Sequence, residues 1–231
     1  MKSQVVRAFR TVELPPYFCV LPADGEVCGR SDDSRIIRIR DRGAFGNGTH
    51  ETTQLCLLAL GYLLRARSQP ANVLDVGAGA GVLAIGAALR GAIVDAVEID
   101  PVALESAKEN IHLNGVDQTV RLNTVLREPP QAFDVVVANI LAGVLLDLAE
   151  PLCRRVASSG HLVLSGLLGT DVPAVVARYL PLLTDKRVGV HERGLWRAVV
   201  FSPDQRASDD RAGAADEATE PRTSRASRIP S

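Results

Sequence analysis

Nine consecutive residues restrict the architecture more than any other stretch: Val73-Leu74-Asp75-Val76-Gly77-Ala78-Gly79-Ala80-Gly81. Four residues suited to a buried strand run straight into three glycines at alternate positions. After Gly81 the apolar spacing becomes helical, with Val82, Leu83, Ile85, Ala88 and Leu89. Strand, glycine turn and helix open a nucleotide-binding βαβ unit. The first glycine permits the tight turn, and the others let the backbone approach a ligand and the helix pack on the strand. Glycine-rich turns are common, so the surroundings must identify this one.

Downstream, strand-like and helix-like segments alternate. Strands are predicted at 73–76, 93–99, 120–122, 133–138 and 161–164, and helices at 82–90, 101–113, 141–156 and 171–180. Pro101 suits a first helical turn, and Asn114-Gly115 a helix stop. Segments 186–191 and 196–201 read as a hairpin around Arg193-Gly194. The fold class is therefore α/β: a doubly wound, mostly parallel, seven-stranded sheet with a terminal antiparallel hairpin.

Upstream, residues 1–45 carry two short strand patterns, 17–21 and 35–40, separated by turn residues. They read as an N-terminal flap or hairpin. The loop Gly43-Ala-Phe-Gly-Asn-Gly-Thr-His-Glu-Thr-Thr53 leads into a helix over 51–67, placing Thr49 or His50 at an N-terminus able to hold an anion. Residues 46–202 form the main domain. In residues 203–231 a single large aliphatic side chain, Ile229, stands among small and charged residues, and a disordered tail is expected.

Composition narrows the function classes. A net charge of −1 provides no global field for nucleic acid or anionic membranes. One Trp and three Tyr give no aromatic platform for single strands. No segment reaches the ~20 apolar residues of a membrane span. Cys19, Cys28, Cys56 and Cys153 include no CxxC pair, so no metal site is expected; with no secretory signal, reduced thiols in a cytoplasmic protein are, although Cys19 and Cys28 can meet across a hairpin.

The second strand ends Val97-Glu98-Ile99-Asp100-Pro101. An acid here, about 20 residues past the turn, can accept both ribose hydroxyl hydrogens of a nucleoside. Glu98 takes that role, unless it is only a solvated strand-end acid, and Ile99 can lie against an adenine ring. Both a dinucleotide and an adenosylmethionine suit such a site. The spacing is Gly-x-Gly-x-Gly, not the Gly-x-Gly-x-x-Gly of pyrophosphate binders. Asp75 beside the turn would repel a pyrophosphate but can orient an ammonium or a water. The balance favours adenosylmethionine. Asn139, emerging from the apolar run Val135-Val136-Val137-Ala138, lies across the crevice, where its amide can donate and accept; the position also suits a turn or helix cap.

Together these residues resemble the ribosomal protein methyltransferase family often called PrmA, over 35–201. The resemblance rests on Gly46-Asn47-Gly48-Thr49-His50-Glu51-Thr52-Thr53, Leu74 to Gly81, Glu98-Ile99-Asp100-Pro101, Val137 to Gly143, Leu164-Ser165-Gly166 and Glu192 to Trp196. It implies a class I, Rossmann-like fold that uses S-adenosyl-L-methionine and no metal to methylate amines of a large-subunit ribosomal protein. By resemblance Thr53, Gly77, Glu98 and Asn139 contact the cofactor, and Thr49, His50 and Thr52 line a loop closing over it. The full set expected at the cofactor is Thr49, Thr52, Thr53, Asp75, Gly77, Gly79, Gly81, Glu98, Ile99 and Asn139, with Asn139 as the catalytic residue. His50 is a candidate base or a loop-ordering hydrogen-bond partner. Three positions depart from the family: Asn47 for the usual Thr, Ala78 for a frequent Cys, and Glu98 for the usual Asp. The family's separate N-terminal recognition domain is expected to be reduced here to its last linker and hairpin.

The expected activity is N-methylation of a lysine or α-amino group on a protein or peptide. A small-molecule methyltransferase of the same fold, or a non-catalytic adenosylmethionine-binding protein, is the alternative. The chain lacks the Asn-Pro-Pro-aromatic motif of amide-type methylators. A nicotinamide dehydrogenase is disfavoured by the glycine spacing.

Overall fold

A computed structural model describes residues 9–26, 35–43, 45–65, 67, 69–128 and 130–204. Cys28 and residues 205–231 of the expected tail lie outside them, while Pro203, expected to open the tail, is the last residue of a strand. Two sheets are present. Strands β1 (Val12–Leu14), β2 (Phe18–Pro22) and β3 (Ile36–Ile39) form a small N-terminal sheet. The large sheet contains β4 (Asn72–Val76), β5 (Ile93–Val97), β6 (Val120–Asn123), β7 (Phe133–Asn139), β8 (Val156–Leu168), β9 (Lys186–Arg193) and β10 (Trp196–Pro203). Its order is β6-β5-β4-β7-β8-β10-β9. The first five are parallel, and β10 pairs antiparallel with both β8 and β9, as the βα alternation and terminal hairpin predict.

Strand alternation divides the core into two layers. Val73, Val135, Val137 and Val163 face helices α1 (Glu51–Leu63), α2 (Val82–Leu89) and α3 (Pro101–Leu113). The N-terminal sheet joins this layer through Phe18, Val20, Ile37 and Ile39. Leu74, Val136, Ala138 and Leu164 face α4 (Ala142–Asp147), α5 (Ala149–Cys153) and α6 (Val172–Tyr179). The order reverses between β4 and β7, placing a ligand crevice beyond the carboxyl ends of those strands.

Four segments differ from the sequence-based expectation. The two expected N-terminal strands do not pair with each other as a hairpin: β2 and β3 run parallel, and β2 forms its antiparallel hairpin with β1, a strand outside the sequence-based expectation. The Asp24-Gly25 turn forms, with Gly25 N–H donating to Pro22 O. The helix expected over 141–156 is two short helices. Pro151 has no N–H and its ring would strike the carbonyl four residues earlier, at Asp147, where α4 ends. The helix expected over 51–67 stops at Leu63, where the Arg65 guanidinium folds over the Tyr62 ring 3.5 Å away. Strand β8 begins five residues before the predicted 161, because Ser158-Ser159-Gly160 is part of an irregularity within it, not a turn. Pairing shifts from Phe133↔Val156 to Val135↔His161, and the Lys186 ammonium donates to the carbonyls of Ala157, Ser158 and Gly160.

Candidate functional site

The glycine turn is anchored on β5. Gly77 and Ala78 N–H both donate to Val97 O, at 2.9 and 3.0 Å. Gly79 N–H donates to Glu98 Oε2 at 2.8 Å, and Asp100 N–H to Glu98 Oε1 at 2.9 Å. Glu98 is buried, so it is part of the turn and not a solvated strand-end acid. Each of its oxygens keeps acceptor capacity for a further donor. Gly79 has φ +55, and a Cβ there would strike the Phe45 carbonyl oxygen; a Cβ at Gly77 (φ +78) would strike Ile140 Cγ2. Gly81, the third glycine, is the N-cap of α2. Asp100 caps α3 by accepting from Val102 N–H at 2.9 Å, with Pro101 in the first turn.

Asp75 lies at the floor of the crevice and is fully buried, with no full-geometry hydrogen bond to either carboxylate oxygen. Burial raises its pKa from 3.8 to about 7; the backbone N–H of Ala84, in the first turn of α2, opposes the rise, and the charge of Glu98 adds to it. Beside it, the Cys56 thiol is pushed well above its ordinary value, first by burial and then by Asp75. Beyond β5 and β6 stand the exposed apolar side chains Ile99, Val102 and Val125. Ile99 is 83% exposed and free to lie against a flat ligand face.

On the opposite side, Asn139 closes β7. Its Nδ2 donates to Thr53 Oγ1 at 3.3 Å, while its buried Oδ1 has no partner. Thr53 is fully buried in the first turn of α1. Gly166, with φ +87, leaves room for the Ile140 carbonyl, which would meet any Cβ there. Ile140 N–H donates to Ser165 O at 3.2 Å, and Ser165 Oγ donates to Arg197 O at 2.9 Å. The strand end is thus held from three sides.

The other predicted hydroxyls are engaged elsewhere. Thr49 is exposed and donates from Oγ1 to Asn47 Oδ1 at 2.7 Å. Thr52 is buried with its hydroxyl 2.8 Å from His50 Nδ1. His50 is the N-cap of α1, its Nδ1 accepting from Thr52 N–H at 3.3 Å. A backbone N–H only donates, so the neutral ring carries its proton on Nε2. That leaves no ring lone pair free to abstract a proton, and the loop-ordering role describes His50. Its ring stands 5.3 Å from Phe45 and 4.8 Å, edge-on, from Trp196.

Two positioning side chains gave no sequence signal. Gln54 Nε2 donates to Thr49 O at 2.9 Å and Gly48 O at 3.3 Å, holding the loop before α1. Asn110 in α3 donates to Ala80 O at 3.0 Å. All three bonds join a side chain to a backbone carbonyl, which no apolar periodicity reports.

Comparison with known proteins bears on the family and the fold. The family model described as Ribosomal protein L11 methyltransferase (PrmA) matches residues 3–203, further toward the N-terminus than the motifs reach. The ribosomal protein L11 methyltransferase of Geobacter sp. (strain M21) is 42% identical over 179 residues, covering 75% of this chain and 58% of that protein. That of Citrifermentans bemidjiense is 49% identical over 149 residues, covering 62% and 49%. The chain spans about half the length of the curated relatives it matches. The crystal structure of a ribosomal protein L11 methylase from Lactobacillus delbrueckii subsp. bulgaricus superposes with TM-score 0.74 at 30% identity, covering 85% of this chain and all of that one. A precorrin-6y C5,15-methyltransferase from Geobacter metallireducens GS-15 shares the fold at 18% identity, with TM-score 0.54 over 65% of this chain and 89% of its own. The fold is that of class I S-adenosylmethionine-dependent methyltransferases, and the chain belongs to the ribosomal protein L11 methyltransferase (PrmA) family.

Proposed function

We propose that the chain is an S-adenosyl-L-methionine-dependent methyltransferase acting on an amine nitrogen of a protein or peptide, in the cytoplasm. The observation that carries this reading is the half-satisfied amide of Asn139. Thr53 accepts from its Nδ2, which leaves the buried Oδ1 as an acceptor without a partner. An amine N–H is a fitting donor for it, and the bond would aim the nitrogen lone pair across the crevice.

The residues fit the cofactor. The glycine turn presents backbone to it, Glu98 has acceptor capacity for two ribose hydroxyls, Ile99 offers an apolar face to adenine, and the Asp75 carboxylate keeps acceptor capacity for an ammonium or its bound water. S-adenosylmethionine supplies a methyl group on a sulfonium that leaves as a neutral thioether. The chain's work is alignment: a nitrogen–carbon bond forms as the carbon–sulfur bond breaks, and the amine's proton passes to water. The rings of Phe45, His50 and Trp196 form an apolar edge beside Thr53 for the acceptor's aliphatic arm. The relatives' names point to ribosomal protein L11 as the acceptor. No helix among the described residues is long and apolar enough to cross a membrane.

The test is methyl transfer from labelled S-adenosylmethionine into a lysate separated into proteins and small molecules, with mass spectrometry of each fraction. A protein gaining methyl mass at an amine is expected. Label in small molecules alone would move the acceptor class. No incorporation anywhere, with cofactor binding intact, would sink the enzymatic reading.

A further inference from the structure

The peptide units around Ala80, in the glycine turn, are held from two directions, by the loop before α1 and by a side chain of α3. The Ala80 N–H donates to Phe45 O at 2.9 Å. The Ala80 carbonyl accepts from Asn110 Nδ2 at 3.0 Å. Asn110 turns its other amide atom to the end of β3, its Oδ1 accepting from Arg40 N–H at 2.8 Å, while Nδ2 also reaches Arg40 O at 3.5 Å. Asn110 is fully buried and lies one helical turn beyond Ala107, whose Cα would be 3.3 Å from a Cβ on Gly81. One turn further, Asn114 pairs with Arg38 in the same manner, accepting from its N–H at 2.8 Å and donating to its carbonyl at 2.7 Å.

The two asparagines therefore stand where a further strand would pair with β3, and the first of them also grips the glycine turn. Buried backbone polar groups need partners, so neither contact breaks without cost. A shift of the Ala80 carbonyl must be followed by Asn110, and a shift of Asn110 by Arg40.

We infer that Asn110 is a positioning residue that sets the shape of the glycine turn and couples it to the N-terminal sheet, so that cofactor occupancy and the order of β3 report on one another. The inference rests on the reading of the turn as the S-adenosylmethionine site. Coupling between two sites is reciprocal in free energy, so whatever engages the N-terminal sheet alters cofactor affinity by the same factor that the cofactor alters its own.

Two measurements test it. In the wild-type chain, saturating S-adenosylmethionine slows hydrogen exchange at the Arg40 amide. In Asn110→Asp, the bond from Arg40 N–H survives but a carboxylate replaces the donor facing the Ala80 carbonyl. Its dissociation constant for S-adenosylmethionine and S-adenosylhomocysteine, measured by calorimetry, rises at least about tenfold. The cofactor no longer slows exchange at Arg40. Asn114→Ser, which loosens β3 at Arg38 but keeps the Ala80 contact, weakens affinity by a smaller factor than Asn110→Asp. An effect as large as that of Asn110→Asp overturns the direct hold of Asn110 on the turn. An Arg40 amide indifferent to cofactor in the wild type overturns the coupling, and needs no variant that folds. Wild-type affinity in Asn110→Asp overturns the positioning role. Failure of the wild-type chain to bind S-adenosylmethionine at all overturns the cofactor reading, and the inference with it.

Discussion

The side-chain amide of Asn139 hangs from the hydroxyl of Thr53, 3.3 Å away and 86 residues distant in sequence. Strand β7 supplies one partner and the first turn of α1 the other. Their contact engages the amide nitrogen and leaves the oxygen without a hydrogen-bond partner.

Asn139→Asp keeps the shape but loses the donor to Thr53 and places a charge in a buried position. Methyl transfer in single turnover should fall at least about 100-fold, equivalent to ~2.7 kcal/mol of transition-state stabilisation. Thr53→Val should cost less, about tenfold. The double variant should lose less than the sum, because both changes remove one contact. Full additivity would show that the two residues act separately.

Glu98 holds Gly79 and Asp100 as well as any ribose, so its removal disturbs the turn too. Glu98→Ala should weaken S-adenosylmethionine binding by about 1–3 kcal/mol, the scale of lost charge-assisted hydrogen bonds. Isothermal calorimetry measures this directly. An unchanged dissociation constant would remove Glu98 from the site.

Asp75 makes stability depend on pH in the direction opposite to a salt-bridged acid. Its pKa is raised in the folded chain, from 3.8 to about 7, chiefly by burial. Across that window the folded state holds a proton that the unfolded state has released, so stability falls as pH rises. The contribution is fully present below pH 3.8 and lost above about 7. Urea unfolding of wild type and Asp75→Asn at pH 5 and pH 8 should show a slope in the first that is reduced in the second. A cationic group placed beside Asp75 favours its ionised form, so cofactor binding near pH 6 should release protons. Calorimetry in two buffers of different ionisation enthalpy counts them. Equal apparent enthalpies would rule that out.

Gln54 gathers two consecutive carbonyls of the loop that lies over the glycine turn. Gln54→Leu should loosen residues 45–50, raising the cofactor dissociation constant several-fold and quickening proteolysis there. Cofactor should restore protection less completely than in wild type. Indistinguishable cleavage of the two chains would count against the latch.

The parts that were legible in the sequence are those with a local signature. The run from Val73 to Leu89 changes period from strand to helix at the glycines, and it forms β4 and α2 within a residue of the expected bounds. Glu98 follows from its distance along the chain from the turn. Contacts made by one side chain with distant backbone left no such trace. Asn110 reaches Arg40 across 70 positions, and its neighbours in α3 read only as an ordinary amphipathic helix. Thr49 and Thr52 read as hydroxyls in the loop, and their hydrogen bonds to Asn47 and His50 are set by loop geometry that no local pattern displays. The break at Pro151 was visible as a residue and was outweighed by the apolar spacing around it.

The irregularity in β8 has a bearing on Asn139 at the other end of the sheet. A strand's side chains alternate faces, so pairing that slips by one position exchanges inside for outside along its whole length. Between Phe133 and Val135 the partner strand takes up its surplus residues, and from there the count runs unbroken to Asn139 opposite Ser165. The surplus leaves carbonyls that Lys186 gathers on a single ammonium. A lysine on the outermost strand thereby keeps the phase of a ladder whose last rung carries Asn139.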